Sequence, residues 1–203
     1  RKILHGNIIE KLRYGENPHQ KSAIYSQNNN SKINQVHGKQ LSYNNYNDIF
    51  SALAISKTLP KNRGVVIIKH ANPCGVSALE NKVDSYKAAR ACDPVSAFGG
   101  IVSCNFKVNK KLALELKKNF LEVIIANDFD NNALKILKTK KNLRVINASK
   151  FSINNSFKFN SANNLFLLQS EDGKIFSKEN FEVVSKKKPN KLQLDNLIFA
   201  FNI

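Results

Sequence analysis

The chain contains 203 residues, of which 42% are hydrophobic, and it carries a formal net charge of +17 at pH 7. This length supports one large domain or two small ones, and every apolar run is shorter than the about 18 residues that span a bilayer, so we expect no membrane partner. The lysines are scattered over stretches typical of solvated helix faces, so we expect a field that attracts anionic small molecules rather than nucleic acid.

The first 20 residues are rich in turn formers and predict an irregular linker. Residues 21–148 alternate short apolar runs with stretches of helical periodicity, which predicts an α/β unit with crossover connections. The expected strands are 22–25, 33–37, 65–68, 101–106, 123–126 and 143–146. The expected helices are 45–59, 83–92, one capped by Asn109 and one capped by Asp130.

The pattern changes from about residue 149. Residues 151–176 predict strands and a hairpin that turns at Glu171, Asp172 and Gly173, and residues 181–184 predict a further short strand. A helix is expected to start at Pro189 and to be truncated by the end of the chain. We therefore expect residues 149–203 to form a small β-rich segment followed by the start of a helix.

The segment GVVIIKHANPCG, residues 64–75, carries the strongest signal for chemistry. Its β-branched run predicts a buried parallel strand, which ends in Lys69 and His70 and then enters a turn formed by Pro73 and Gly75. Chemistry in open α/β sheets lies beyond the carboxyl ends of the strands. The alternative is a lysine that extends to solvent beside a histidine bonded to the backbone, and the dipeptide alone favours this alternative.

Two other segments concentrate polar groups. Residues 93–100, DPVSAFGG, join a helix to a strand, and residues 13–20, RYGENPHQ, place Arg13 beside Tyr14 in an irregular stretch. Arginine beside an aromatic ring can hold a phosphate and stack a base. The alternatives are an ordinary helix-to-strand turn and a linker that leads into the domain.

The sequence lacks the motifs of several well-known kinds of site. The chain has neither a P-loop nor a dinucleotide-binding glycine motif. Pro73 and Cys74 are similar to the start of the zinc-deaminase motif, but Ser77 replaces its second cysteine and no glutamate follows His70 as that motif requires. We therefore expect no zinc. The three cysteines have no paired spacing, which is typical of a reducing cytoplasm.

Together, five segments in order resemble one family. They are LRYGENPHQ (12–20), GKQLSYNNYND (38–48), KHANPCGV (69–76), DPVSAFGGI (93–101) and VIIAN (123–127). They resemble the AICAR transformylase domain of the PurH family, whose members are bifunctional proteins of purine biosynthesis. The resemblance covers residues 11–203 and implies a fragment of such a domain.

The resemblance implies a cytidine-deaminase-like fold, a three-layer α/β/α unit with a mixed sheet. Residues 1–20 would be a linker that contributes to the site, residues 21–148 the first such unit, and residues 149–203 the connection to a second unit. It also implies a cytoplasmic enzyme that transfers the formyl group of 10-formyltetrahydrofolate to the 5-amino group of AICAR, giving FAICAR. A separate N-terminal domain of the full-length protein would close FAICAR to IMP, and the full-length protein would be a homodimer that binds small molecules and a monovalent cation.

The resemblance also assigns roles to residues. His70 would be the general base, and Lys69 would stabilise the oxyanion or assist protonation of the leaving folate nitrogen. The residues expected to bind substrate are Arg13, Tyr14, Asn72, Gly99, Gly100 and Glu122. Asn44, Asn45 and Asp48 belong to a family motif without an assigned role. The alternatives are a noncatalytic nucleotide-binding fragment and a deaminase-like metal enzyme.

Overall fold

The computed structural model describes residue 3 and residues 5–27, 33–151 and 157–203. The chain divides into two compact units, Arg1–Ser152 and Ile153–Ile203. The functional assignment of residues 1–20, 21–148 and 149–203 stays a prediction.

The described residues of the first unit form strands and helices in alternation after two initial strands. The strands are β1 (Asn7–Leu12), β2 (Ser22–Ser26), β3 (Asn34–His37), β4 (Val65–Lys69), β5 (Asn72–Ser77), β6 (Ile101–Val108), β7 (Val123–Phe129) and β8 (Arg144–Asn147). The helices are α1 (Tyr43–Thr58), α2 (Lys82–Cys92), α3 (Lys110–Lys117) and α4 (Asn131–Leu137). No helix in the described parts of the chain is long and apolar enough to cross a membrane.

Six of these strands form one mixed sheet in the order β3-β8-β7-β6-β4-β5. Strands β6, β7 and β8 are parallel, whereas β4 is antiparallel to both of its neighbours. The prediction that residues 65–68 form a parallel strand is therefore wrong. The physical reason is the connection, because the two-residue loop between β4 and β5 can join only antiparallel strands.

The sheet is buried on both faces. Val65 and Ile67 belong to the core cluster that contains residues of α2, α3 and α4, and their neighbours Val66 and Ile68 point to the opposite face. Helix α1 packs against β4 and β6 and buries Ile49 completely. The three layers are therefore α1, the sheet and the group formed by α2, α3 and α4, and the predicted α/β fold with a mixed sheet is confirmed.

Local capping fixes where the helices begin. Asn109 accepts a hydrogen bond from the Leu112 N–H at 3.0 Å, and Asp130 accepts one from the Ala133 N–H at 2.6 Å. Such caps stabilise a helix by about 1 kcal/mol each. Both predicted caps are confirmed.

The N-terminal segment is more regular than its composition predicts. Residues 7–12 form β1, which pairs with β2 in an antiparallel ribbon, so the irregular linker expected over the first 20 residues is wrong for this part. The pairing strand lies beyond a long turn, and that long-range partner is not visible in local propensity. Tyr46 of α1 donates a hydrogen bond to Glu10 at 2.9 Å and so connects this ribbon to the helix.

The second unit contains a hairpin, a single-turn 3₁₀ helix (Lys178–Asn180) and an α-helix within its described residues. The hairpin consists of β9 (Phe157–Ala162) and β10 (Leu165–Ser170), and the α-helix is α5 (Lys191–Phe201). The hairpin turns at Asn163, which has a φ of 53°, and not at residues 171–173 as predicted. Asparagine tolerates this left-handed conformation better than most residues.

The strand predicted at residues 181–184 is absent from the described part of the second unit. Instead, Phe181 packs its ring against those of Phe176 and Phe201, with centroids 6.1 and 5.0 Å away. The apolar run therefore supplies an aromatic contact for α5 rather than a strand pairing. The predicted C-terminal helix is confirmed as α5.

Candidate functional site

The hairpin that joins β4 to β5 carries both predicted catalytic residues. Lys69 is the last residue of β4 and pairs with Asn72, and His70 and Ala71 form the two-residue loop between them. Their φ angles are 53° and 60°, which is the type I′ turn of tight hairpins. Glycine usually occupies such positions, so two residues with a Cβ atom are held here in an unfavourable conformation.

The turn predicted at Pro73 and Gly75 is therefore wrong. Pro73 pairs with Ile68 and Gly75 with Ile67, so Cys74 is an additional residue that forms a β-bulge. Proline is tolerated here because β5 is the edge strand of the sheet. Gly75 allows close packing of α2, since a Cβ atom at this position would collide with the carbonyl oxygen of Ala89.

The site lies at one edge of the sheet. Ile68, Ile101, Val123 and Arg144 form a continuous row across β4, β6, β7 and β8. Just outside this row lie three residues of interest. Lys69 follows Ile68, Gly100 precedes Ile101, and Glu122 precedes Val123. The parallel strands β6, β7 and β8 present their amino ends at this edge, whereas β4 and β3 present their carboxyl ends there.

The backbone continues this row beyond the strands. The Glu122 N–H donates to the Gly100 carbonyl at 3.1 Å, and the Arg144 N–H donates to the Glu122 carbonyl at 3.0 Å. The starts of three strands are thereby held in one line. Side chains from consecutive strands are brought together although they are far apart in sequence.

Lys69 is held by the loop that precedes β6. Its Nζ donates a hydrogen bond to the carbonyl oxygen of Phe98 at 2.9 Å. Gly99 has a φ of 68°, and a Cβ atom there would lie 3.1 Å from that Nζ and 3.3 Å from the ring of Phe120. At Gly100 the Cβ atom would lie 3.0 Å from the Ile68 carbonyl oxygen. Both glycines therefore let the loop approach the end of β4.

The first turns of α1 support this edge. Asn45 is buried, and its amide donates to Glu122 Oε2 at 3.0 Å while its oxygen accepts from the Ser42 N–H at 3.2 Å. One turn later, Asp48 Oδ1 accepts a hydrogen bond from the Ala71 N–H at 2.6 Å. Helix α1 thus holds one acidic side chain of the site and the backbone of the hairpin turn.

Burial and neighbouring charges act on Asp48. Burial raises its pKa and Glu122 adds to this effect, whereas the hydrogen bond from Ala71 and the charges of His70 and Lys69 oppose it. The net result is a pKa above the ordinary aspartate range. Asp48 therefore interacts with the side chains of Glu122, Lys69 and His70 at this edge.

Arginines flank the site on the side of β8. Arg13 lies over the ring of Tyr14, with Cζ 5.4 Å from the ring centroid, and the Tyr14 carbonyl accepts a hydrogen bond from Ser22 at 2.6 Å. Arg144 donates from Nε to the Gln40 carbonyl at 3.2 Å. Burial lowers the pKa of Arg144, and the charge of Arg13 lowers it further. Two guanidinium groups therefore interact electrostatically on this side of the site.

The sequence comparison agrees with this arrangement of motifs. The family described as AICARFT/IMPCHase bienzyme matches residues 2–203. The chain belongs to this family.

Relatives in this family are bifunctional purine biosynthesis proteins named PurH. The protein from Caldicellulosiruptor saccharolyticus is 41% identical over 203 residues and covers 96% of this chain, and that from Leptospira biflexa is 42% identical over 198 residues and covers 97%. The protein from Aquifex aeolicus is 41% identical over 199 residues and also covers 96%. The chain spans 38–39% of the length of these relatives.

Most residues that the AICARFT/IMPCHase resemblance selected lie along one edge of the sheet. These residues are Lys69, His70, Gly99, Gly100 and Glu122. Arg144 pairs with Val123 and its N–H donates to the Glu122 carbonyl, which places the arginine side of the site at the same edge. Asn72 is exposed, and its amide donates to the His70 carbonyl at 2.8 Å, so it braces the turn. Its role in binding substrate stays a prediction.

Sequence reasoning missed Arg144 and left Asn45 and Asp48 without a role. Arg144 was part of a predicted strand, and the signal that could have revealed it is a charged residue at the start of an otherwise buried strand. Asn45 and Asp48 lie three residues apart on α1 and therefore share a face. That spacing was visible in the sequence, but the partners of these two side chains were not.

The part of the AICARFT/IMPCHase chain that the structure describes contains no group of three or more His, Cys, Asp and Glu side chains that could hold a metal ion. Cys74, which is similar to a zinc-deaminase cysteine in sequence, donates from Sγ to the Ile67 carbonyl at 3.5 Å. Burial raises the pKa of Cys74. Its thiol is therefore used in a contact within the β4–β5 hairpin.

Proposed function

We propose that the β4–β5 turn supplies the catalytic pair of an AICAR formyltransferase in de novo purine biosynthesis. The observation that carries this proposal is the position of Lys69 and His70 at the end of β4, with Lys69 Nζ held 2.9 Å from the Phe98 carbonyl beside two glycines. Membership in the AICARFT/IMPCHase family supports the reaction class. The family favours formyl transfer over a deaminase-like metal reaction.

The reaction needs a base and a cation in close proximity. The AICAR amine is a weak nucleophile because its lone pair is delocalised into the imidazole ring that bears the carboxamide. As this nitrogen bonds to the formyl carbon of 10-formyltetrahydrofolate, His70 removes the amine proton. Lys69 stabilises the negative charge that develops on the formyl oxygen. The formyl C=O bond then re-forms as the bond to the folate nitrogen breaks, and that nitrogen takes up the proton held by His70, with assistance from Lys69.

Binding of the nucleotide uses the other side of the site. We expect Arg13 and Arg144 to bind the phosphate, because guanidinium groups form charge-assisted pairs with phosphate oxygens. Tyr14 would line the same pocket. Gly99 and Gly100 let the nucleotide approach the backbone, and Glu122 lies where it can accept a hydrogen bond from the substrate.

The complete protein would extend this activity. We infer that it also carries the IMP cyclohydrolase activity, that it is a homodimer, and that it acts in the cytoplasm. 10-Formyltetrahydrofolate would be its cosubstrate. Neither zinc nor nucleic acid is expected to take part, and the monovalent cation implied by the family stays a prediction.

The test is an assay of both activities in the complete gene product that contains this chain. Formation of FAICAR from AICAR and 10-formyltetrahydrofolate is expected, and His70→Ala should abolish it while cyclohydrolase activity remains. His5→Ala is the matched control, since His5 is exposed in the N-terminal segment. AICAR binding without any turnover would support the noncatalytic alternative. Stoichiometric zinc in the purified protein would support the deaminase-like alternative.

A further inference from the structure

The turn that carries His70 is formed by two residues for which its backbone conformation is unfavourable. His70 and Ala71 both have positive φ angles, and Cβ-bearing residues are disfavoured there because Cβ approaches the following carbonyl oxygen. Turns of this type favour asparagine, aspartate and glycine instead. An additional interaction must therefore hold the backbone in this state.

Asp48 supplies such an interaction from outside the hairpin. Its Oδ1 accepts the Ala71 N–H at 2.6 Å, whereas the bond from Asn72 to the His70 carbonyl joins two residues of the hairpin itself. Asp48 belongs to α1, which packs against β4. Among the hydrogen bonds described for residues 70–72, the bond to Asp48 is therefore the one that anchors the turn to another element.

Helix α1 does not need this carboxylate. The N-cap of α1 is Ser42, which forms a capping box with Asn45, so Asp48 lies beyond the first turn and caps nothing. The side chain is half-buried next to another acidic side chain, Glu122, which is a cost for an ionised carboxylate. Its bond to Ala71 and the nearby charge of Lys69 offset that cost.

We propose that Asp48 is a positioning residue, whose carboxylate holds the left-handed Ala71 and thereby fixes the imidazole of His70 beside Lys69. This inference rests on the proposed function, because its kinetic readout is formyl transfer. Asp48 does not contact the arginine side of the site in this account. Its removal should therefore lower kcat and leave substrate binding nearly unchanged.

The kinetic test uses four variants of the complete gene product: Asp48→Ala, Asp48→Asn, Ala71→Gly and the double variant Asp48→Ala with Ala71→Gly. Asp48→Ala should lower the kcat of formyl transfer by about 10- to 100-fold, the loss expected for a catalytic group displaced by about 1 Å, with KM for AICAR within about threefold. Asp48→Asn should keep most of the rate, because its amide oxygen still accepts the Ala71 N–H. Asn47→Ala is the matched control, since Asn47 is the exposed neighbour on α1.

The double variant separates positioning from charge. Glycine adopts positive φ without cost, so Ala71→Gly should recover at least about fivefold of the rate lost in Asp48→Ala. The absence of such recovery, or an Asp48→Asn variant as slow as Asp48→Ala, would overturn the inference. The first result would mean that the bond does not act by holding Ala71 at positive φ, and the second would mean that the charge of Asp48 matters rather than its bond to the turn.

Amide hydrogen exchange gives a readout that does not depend on activity. Asp48→Ala should accelerate exchange at Ala71, while exchange in the core strands β6 and β7 stays unchanged. Unchanged exchange at Ala71 would overturn the inference, and faster exchange throughout β6 and β7 would mean that Asp48 supports the fold as a whole and would overturn it as well. If the wild-type protein transfers no formyl group, the proposed function fails, and the exchange measurement alone decides whether Asp48 holds the turn.

Discussion

Gly99 gives a prediction whose size follows from the structure. Gly99→Ala places a Cβ atom at a residue with a φ of 68°, which costs about 1–2 kcal/mol for a residue with a side chain. The new atom would lie 3.1 Å from Lys69 Nζ and 3.3 Å from the Phe120 ring. Both are ends of flexible side chains, so their displacement adds little, and the expected loss of unfolding free energy is about 1–2 kcal/mol.

Urea-induced unfolding of the chain, followed by circular dichroism, measures this loss. Two other substitutions should give a larger and a smaller loss of unfolding free energy than Gly99→Ala: Gly38→Ala and Gly6→Ala, respectively. At Gly38 the Cβ atom would collide with the backbone carbonyl of Leu143, which cannot move aside, so the loss should exceed that at Gly99. Gly6 has no positive φ and should lose less. Equal losses at Gly6 and Gly99 would refute the reasoning from backbone conformation.

Two further predictions concern the arginine side of the site and the cysteines. Arg144→Ala should raise KM for AICAR about ten- to a hundredfold, because a charge-assisted hydrogen bond contributes about 1.5–3 kcal/mol. The affinity of this variant for the dephosphorylated nucleoside, measured by calorimetry, should equal that of the wild type. Burial raises the pKa of Cys104 to about 12, so an aromatic disulfide reagent should modify the exposed Cys92 in the folded chain and Cys104 only after unfolding. Rapid modification of Cys104 in the folded chain would contradict this burial.

The sequence predicted most elements of the first unit because their signals are local. Asn109 and Asp130 mark the helix starts, since a short polar side chain that accepts a backbone N–H needs no distant partner. The buried run of β4 was also evident. Its direction was not, because a run that is apolar on both faces occurs in any strand covered by helices on both sides.

The misassigned turn has a related physical cause. Pro73 and Gly75 have strong turn propensities, but an edge strand and a bulge also accommodate them. The chain instead reverses its direction at His70 and Ala71, and both residue types have a low propensity for turns. Tertiary contacts such as the Asp48 bond stabilise that reversal, and single-sequence reasoning does not include them.

The candidate site was predictable only in part for the same reason. The motifs selected Lys69 and His70 because unusual polar residues end an apolar run. Arg144 joins them through the register of β4, β6, β7 and β8, which places residues from distant positions in one row. Register depends on strand order, and strand order was not visible in the sequence.

The most direct test of the central claim is the formyl-transfer kcat of the His70→Ala variant relative to the wild type, at saturating AICAR and 10-formyltetrahydrofolate. A general base contributes about 10²- to 10⁴-fold, so the proposed role of His70 predicts a decrease of that size, with the cyclohydrolase rate of the same sample unchanged. A variant that retains its transfer rate within about tenfold of the wild type would contradict the assignment of His70 as the base.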